Sequence, residues 1–166
     1  THPHLAKYLI ALGLETFGAP HVDARTTYPT TISAIAARPE DALGAGRLWI
    51  AGPSEISVID TATRAVIGTI PLRNVSYLTA SSDGSLWGTT TTGAIFTADR
   101  VTADQGGTSG LSTWSTTGGA TLGIAPLADG TAALVQRDQL LIMRDGVVVT
   151  STPLLRGTSV LAVKVD

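Results

Sequence analysis

His2 and His4 flank Pro3 at the head of the sequence. Residues two apart in an extended segment point to one side, and imidazole suits several transition metals, so His2 and His4 are the candidate metal ligands. His21 stands too far along the chain to be assigned as a third; the alternative is a terminus with two solvated imidazoles. Six aspartates, Asp60, Asp83, Asp99, Asp129, Asp145 and Asp166, fall at expected turns. None has the DxDxDG spacing of a calcium loop, so each is expected to cap its own turn. Trp49, Trp87 and Trp114 are the aromatic candidates for a binding platform. Trp49 and Trp87 occupy equivalent places in a repeat and are expected in the core, whereas Trp114 follows the longest connection, 100–110. That connection is rich in Gly, Thr and Ser and is expected to be an exposed, flexible loop. Trp114, Arg100, Thr108 and Ser109 are therefore the candidate binding residues. Its run Gly106-Gly107-Thr108-Ser109-Gly110 lacks the Lys and the strand-to-helix setting of a phosphate cradle. No GxSxG elbow, HExxH or dinucleotide fingerprint occurs, so no catalytic residue is assigned and no cofactor is expected.

The elements that carry these residues repeat. Gly46-Arg47-Leu48-Trp49 leads to Ser57-Val58-Ile59-Asp60, Asp83-Gly84-Ser85-Leu86-Trp87 leads to Ile95-Phe96-Thr97-Ala98-Asp99, and Asp129-Gly130-Thr131 leads to Leu141-Ile142-Met143-Arg144-Asp145. The spacing is roughly 40 residues, the period of four-stranded propeller blades. Strands are expected over 32–37, 47–51, 55–60 and 64–70, then 75–80, 85–89, 94–98 and 111–115, then 121–125, 131–136, 139–144 and 147–152. Residues 159–165 match the first strand of a fourth copy. Asp83-Gly84, Asp129-Gly130 and Asp145-Gly146 are hairpin dipeptides expected to make two-residue turns. Upstream, Leu5, Tyr8, Leu9 and Leu12 are spaced for one short amphipathic helix within 3–17, and 19–31 reads as an extended connector. The division is thus 1–31, helix and connector, and 32–166, a repeat domain. The fold class is all-β, an array of about three four-stranded blades. Three blades and a strand do not close a ring, so self-association or pairing with other chains is expected.

Residues 46–72, GRLWIAGPSEISVIDTATRAVIGTIPL, resemble the YVTN and NHL types of β-propeller repeat, and residues 76–99 look like the next blade in the same style. The YVTN tetrapeptide itself is replaced by Leu48-Trp49-Ile50-Ala51. The resemblance covers roughly 32–166 and implies a fold, since propellers host hydrolases, oxidoreductases, lectins and scaffolds alike. His2-Pro3-His4 with Tyr8-Leu9 is similar to an element of phage tail fibres, in which three chains bring their histidines round one ion.

Composition narrows the function classes. A net charge of −2 with eleven scattered basic residues leaves no footprint for a phosphate backbone, which excludes nucleic acid as the expected partner. Cysteine is absent, which removes disulfides and thiolate chemistry. No apolar run approaches the ~20 residues of a membrane-spanning helix. Only 14% of residues are charged, and the polarity comes from Thr, Ser and Gly, as on many extracellular and virion surfaces. The chain opens on Thr1 without a signal-peptide pattern and is expected to be a processed product or a piece. The expected function is a non-enzymatic module acting by surface recognition and assembly. The alternative is a phage tail-fibre or tail-tip component binding a cell-surface receptor or glycan, and an enzyme of the propeller lactonase or quinoprotein kind ranks third.

Overall fold

The computed structural model of the chain describes residues 31–40, 42, 44–115, 121–127 and 130–154. The expected N-terminal helix, His2, His4, His21, Asp129 and the strand expected at 159–165 lie outside the described residues. Twelve strands and one helix are described. They are β1(Ala34–Arg38), β2(Arg47–Ala51), β3(Ile56–Asp60), β4(Val66–Ile70), β5(Val75–Ala80), β6(Leu86–Thr90), β7(Ala94–Ala98), α1(Arg100–Gln105), β8(Leu111–Ser115), β9(Gly123–Pro126), β10(Thr131–Val135), β11(Gln139–Arg144) and β12(Val147–Pro153). The strands form three four-stranded antiparallel sheets in simple sequential order, β1 to β4, β5 to β8 and β9 to β12. These are the three expected blades. First strands are neighbours, β1 lying against β5 and β5 against β9, so they form the inner rim of the array.

Alternation decides which side chains are buried. Pairing Ala36 with Trp49 and Trp49 with Val58, and Ala51 with Ile56 and Ile56 with Ile70, gathers one apolar face on blade 1. That face packs on Leu78, Leu86, Phe96 and Ala98 of blade 2. The opposite face of blade 2 holds Trp87, Ile95, Tyr77 and Trp114, which meet Ile124, Leu134, Leu141 and Met143 of blade 3. Both faces of the middle blade are thus covered, which is why every residue of β6 is buried.

Two expectations need correction. The 100–110 connection is not a flexible loop. Its first six residues are helix α1, because Asp99 accepts the Thr102 N–H as N-cap and the Thr102 hydroxyl accepts the Gly110 N–H, closing the segment on itself. Thr102 and Ala103 are buried, the Ala103 carbonyl accepts the Trp49 indole N–H at 2.7 Å, and Gly107 N–H donates to Thr69 of β4. Thus α1 of blade 2 fastens onto blade 1. Gly68 permits it, since a Cβ there would strike the Gln105 carbonyl. The Asp83-Gly84 turn is not a two-residue turn either. Gly84 N–H donates to Ser81 and Ser81 N–H to Ser85, so Ser82, Asp83 and Gly84 form a three-residue loop. Asp145-Gly146 does make the expected two-residue turn, with φ of 49° and 79°.

Candidate functional site

In an antiparallel meander the first and third connections share one end of the sheet and the second lies at the other. In these blades the first end gathers the chemistry: Arg38 and Arg47 border the β1–β2 connection, Asp60 opens β3–β4, Asp83 lies in β5–β6, and α1 occupies β7–β8. The other end carries the connections 52–55, 91–93 and 136–138, with Glu55, Arg137 and Asp138.

Arg38 and Arg47 sit directly opposite each other on β1 and β2. Like charges across a ladder repel, so the pair needs an anion. Asp104 of α1 supplies it, with a carboxylate oxygen 2.6 Å from Arg38, 3.8 Å from Arg47 Nε and its second oxygen 3.7 Å from Arg100 Nε. Arg47 also pairs with Asp60 at 2.9 Å. Arg38 is buried, donates to the carbonyls of Gly84 and Ala45, and lies 5.8 Å from the centre of the Trp49 ring. One carboxylate therefore ties both blades together.

Beside this lock an open depression of about 420 Å³ sits on the blade 3 side of blade 2. Its floor is a cross-strand row, Trp87 of β6, Thr97 of β7 and Ser112 of β8. Asp83, Ser85, Asp99 and Arg100 form its rim with Gly110. Ser85 donates its hydroxyl at 2.6 Å and its N–H at 2.9 Å to Asp83 Oδ1, and accepts the Trp87 indole N–H at 3.1 Å. Burial pushes the Asp83 carboxyl up, but the hydrogen bonds from Ser85 and Ser81 outweigh it and hold the group below the usual carboxylate range. Asp60 is lowered too, chiefly by the Thr63 N–H, against a desolvation cost, with help from the Thr63 hydroxyl, Arg47 and Ala62. A lowered folded-state value adds stability above the unfolded value of 3.8, lost as pH falls through the folded one. Asp60→Asn and Asp83→Asn should therefore both be less stable than the parent at neutrality and lose less stability as pH falls below 3.8, measured by denaturant melts across pH.

No protein-family model matches the sequence, and no curated protein matches it. Solved structures do match in shape. BBS1N, crystallised in complex with ARL6DN, superposes with a TM-score of 0.61 at 13% identity, over 77% of this chain and 43% of that one. The β-propeller domain of Myceliophteria thermophila Cps50 (Swd1) gives 0.60 at 12% identity, over 87% and 48%. BamB from Moraxella catarrhalis gives 0.54 at 16% identity, over 74% and 38%. The fold is a β-propeller array. This chain spans less than half the length of each of these propellers.

Within the propeller, the sequence-predicted binding residues divide. Arg100, Thr108 and Ser109 are exposed at the α1 end, Arg100 on the rim of the depression and leaning to Asp104. Trp114 is half-buried: it stacks on Trp87 with ring centres 6.1 Å apart and lies against Gly146 of the β11–β12 turn, where a Cβ would strike the indole. Trp49 and Trp87 pack between blades as expected. Trp114→Ala is accordingly expected to cost about 2 kcal/mol in a thermal or denaturant melt, below the full cost of a buried tryptophan because the ring is half exposed. Asp60, Asp83 and Asp99 cap turns as expected. His2 and His4 lie outside the described residues; among the described ones no three His, Cys, Asp or Glu side chains converge as a metal site. No helix among the described residues is long and apolar enough to cross a membrane. Sequence reasoning missed the Arg38–Asp104–Arg47 lock and the depression. Arg38 ends β1 and Arg47 opens β2, and only their cross-strand register, which the sequence does not show, signals the need for a shared counter-charge.

Proposed function

We propose that this propeller segment is a non-enzymatic protein-interaction module whose partners dock on the end that carries α1. The observation behind this reading is the concentration there of exposed polar side chains on a rigid base: Arg100, Thr108 and Ser109 stand on a segment pinned by Trp49, Gly107 and the Arg38–Asp104 pair. Rigid presentation lowers the ordering cost of binding. The matched BBS1N propeller is itself seen in complex with another protein, which favours a protein partner over a small substrate. A subtype within the YVTN or NHL repeats, and an extracellular location, rest on the repeat wording and the uncharged, hydroxyl-rich composition. The tail-fibre alternative rests on His2-Pro3-His4 with Tyr8-Leu9 and on the hydroxyl-rich composition, and none of the matched propellers supports it.

The test is site-specific photo-crosslinking in the native host, with the crosslinker placed at exposed Val101 or Ser109 and, as a control, at exposed Ser54 of the other end. Discrete adducts from Val101 and Ser109, absent from Ser54, are expected. Adducts confined to Ser54 overturn the reading.

A further inference from the structure

The depression on blade 2 has a chemical character that narrows the partner. We propose that it receives a basic side chain, arginine or lysine, of the docked protein; this rests on the reading of the α1 end as a protein-binding end.

Asp83 and Asp99 face the depression from two different connections, and each commits Oδ1 to its own turn, Asp83 to Ser85 and Asp99 to the Thr102 N–H. Both aspartates are exposed and fixed in place by these bonds. Their turns hold both side chains in place whether or not a partner is present, so little conformational cost attends the capture of a cation. Among the described residues the one cation on the rim is Arg100, whose Nε is drawn to Asp104 at 3.7 Å, and Asp104 already serves the buried Arg38. The depression is left with a net negative rim.

The floor agrees with the charge. Trp87, Thr97 and Ser112 lie in one row, an indole followed by two hydroxyl side chains. A long basic side chain lays its aliphatic stem on apolar surface while its head keeps polar contacts, and a guanidinium offers five donors to carboxylates and hydroxyls. The volume of about 420 Å³ is at the low end for a ligand pocket, a size for one or two side chains rather than a cofactor. A negatively charged group would meet two carboxylates against the single guanidinium of Arg100, and a purely apolar one would desolvate them all.

The test uses the whole chain and a defined probe, Nα-acetyl-arginine amide, with Nα-acetyl-citrulline amide as its uncharged counterpart. Binding is followed through the three tryptophan indole N–H signals by NMR. The Trp87 signal is expected to move saturably with the arginine probe, in the millimolar range, to lose that response on addition of salt, and to stay still with citrulline. The pair D83N and D99N together should weaken the response at least tenfold; asparagine still caps a helix, so α1 is retained. Should that double variant fail to fold, Ser112→Arg, on an exposed position, places a tethered cation in the same space and should abolish the response. An equal response to citrulline, or no Trp87 response to arginine, overturns the inference. Crosslinks from Val101 that persist beside a silent Trp87 overturn the basic-side-chain assignment alone and leave the protein-binding reading standing.

Discussion

Replacing Trp49 by alanine is expected to lower stability by about 4 kcal/mol, in the range for a buried tryptophan cut back to a methyl group. The ring is fully buried at the centre of the blade 1–blade 2 face, beside Ala36, Val58 and Phe96. Its N–H satisfies the Ala103 carbonyl of α1, and Arg38 lies over its face. Truncation therefore opens a cavity, removes the acceptor's partner and uncovers a buried cation in one step. Phenylalanine at the same position keeps most of the volume but loses the hydrogen bond, so Trp49→Phe should cost less than half as much and loosen α1 selectively. Denaturant melts measure the first effect; hydrogen exchange at 100–107 measures the second. Equal costs for Phe and Ala would show that the ring's volume contributes nothing beyond the bond to α1; no cost for Phe would show that the bond contributes nothing.

The second large effect is expected at Asp104. Asp104→Ala should cost about 3 kcal/mol, because it leaves buried Arg38 without its carboxylate and restores the repulsion between Arg38 and Arg47 across the ladder. The contribution of Arg100 is small, since its side chain is 44% exposed and solvent screens the pair. Replacing both partners, Arg38→Leu with Asp104→Leu, should cost less than the single Asp104→Ala change, as buried ion pairs give way to apolar packing at little net expense. A double-mutant cycle read from denaturant midpoints checks this. A loss under about 1 kcal/mol for Asp104→Ala would mean that the lock between blades is apolar alone.

Much of this architecture is written in local pattern. Strands β2, β5, β7, β8 and β11 have the bounds that alternation and turn residues predict, because each is flanked by a Gly, Asp, Asn or Ser turn residue and carries β-branched or aromatic residues on one face. What escaped was set by tertiary contact. The segment Arg100–Gln105 has threonine, valine and aspartate, residues of modest helix propensity, and α1 is only six residues long. It is helical because Asp99 caps it and Trp49 and β4 hold it, and neither partner is local. The place of Trp114 after a long connection marks it as a binding candidate; the packing of Gly146 against its ring comes from a turn more than thirty residues away in sequence. The depression was unreadable for the same reason, since Asp83 and Asp99 meet only once β6 and β7 pair.

The central claim is that protein partners dock on the α1 end of the propeller. Hydrogen exchange of the whole chain, with and without the protein recovered by crosslinking, tests it most directly. The account predicts that binding slows exchange in 81–85 and 99–112 and leaves 52–55, 91–93 and 136–138 unchanged. Slowing confined to those last three connections would contradict it.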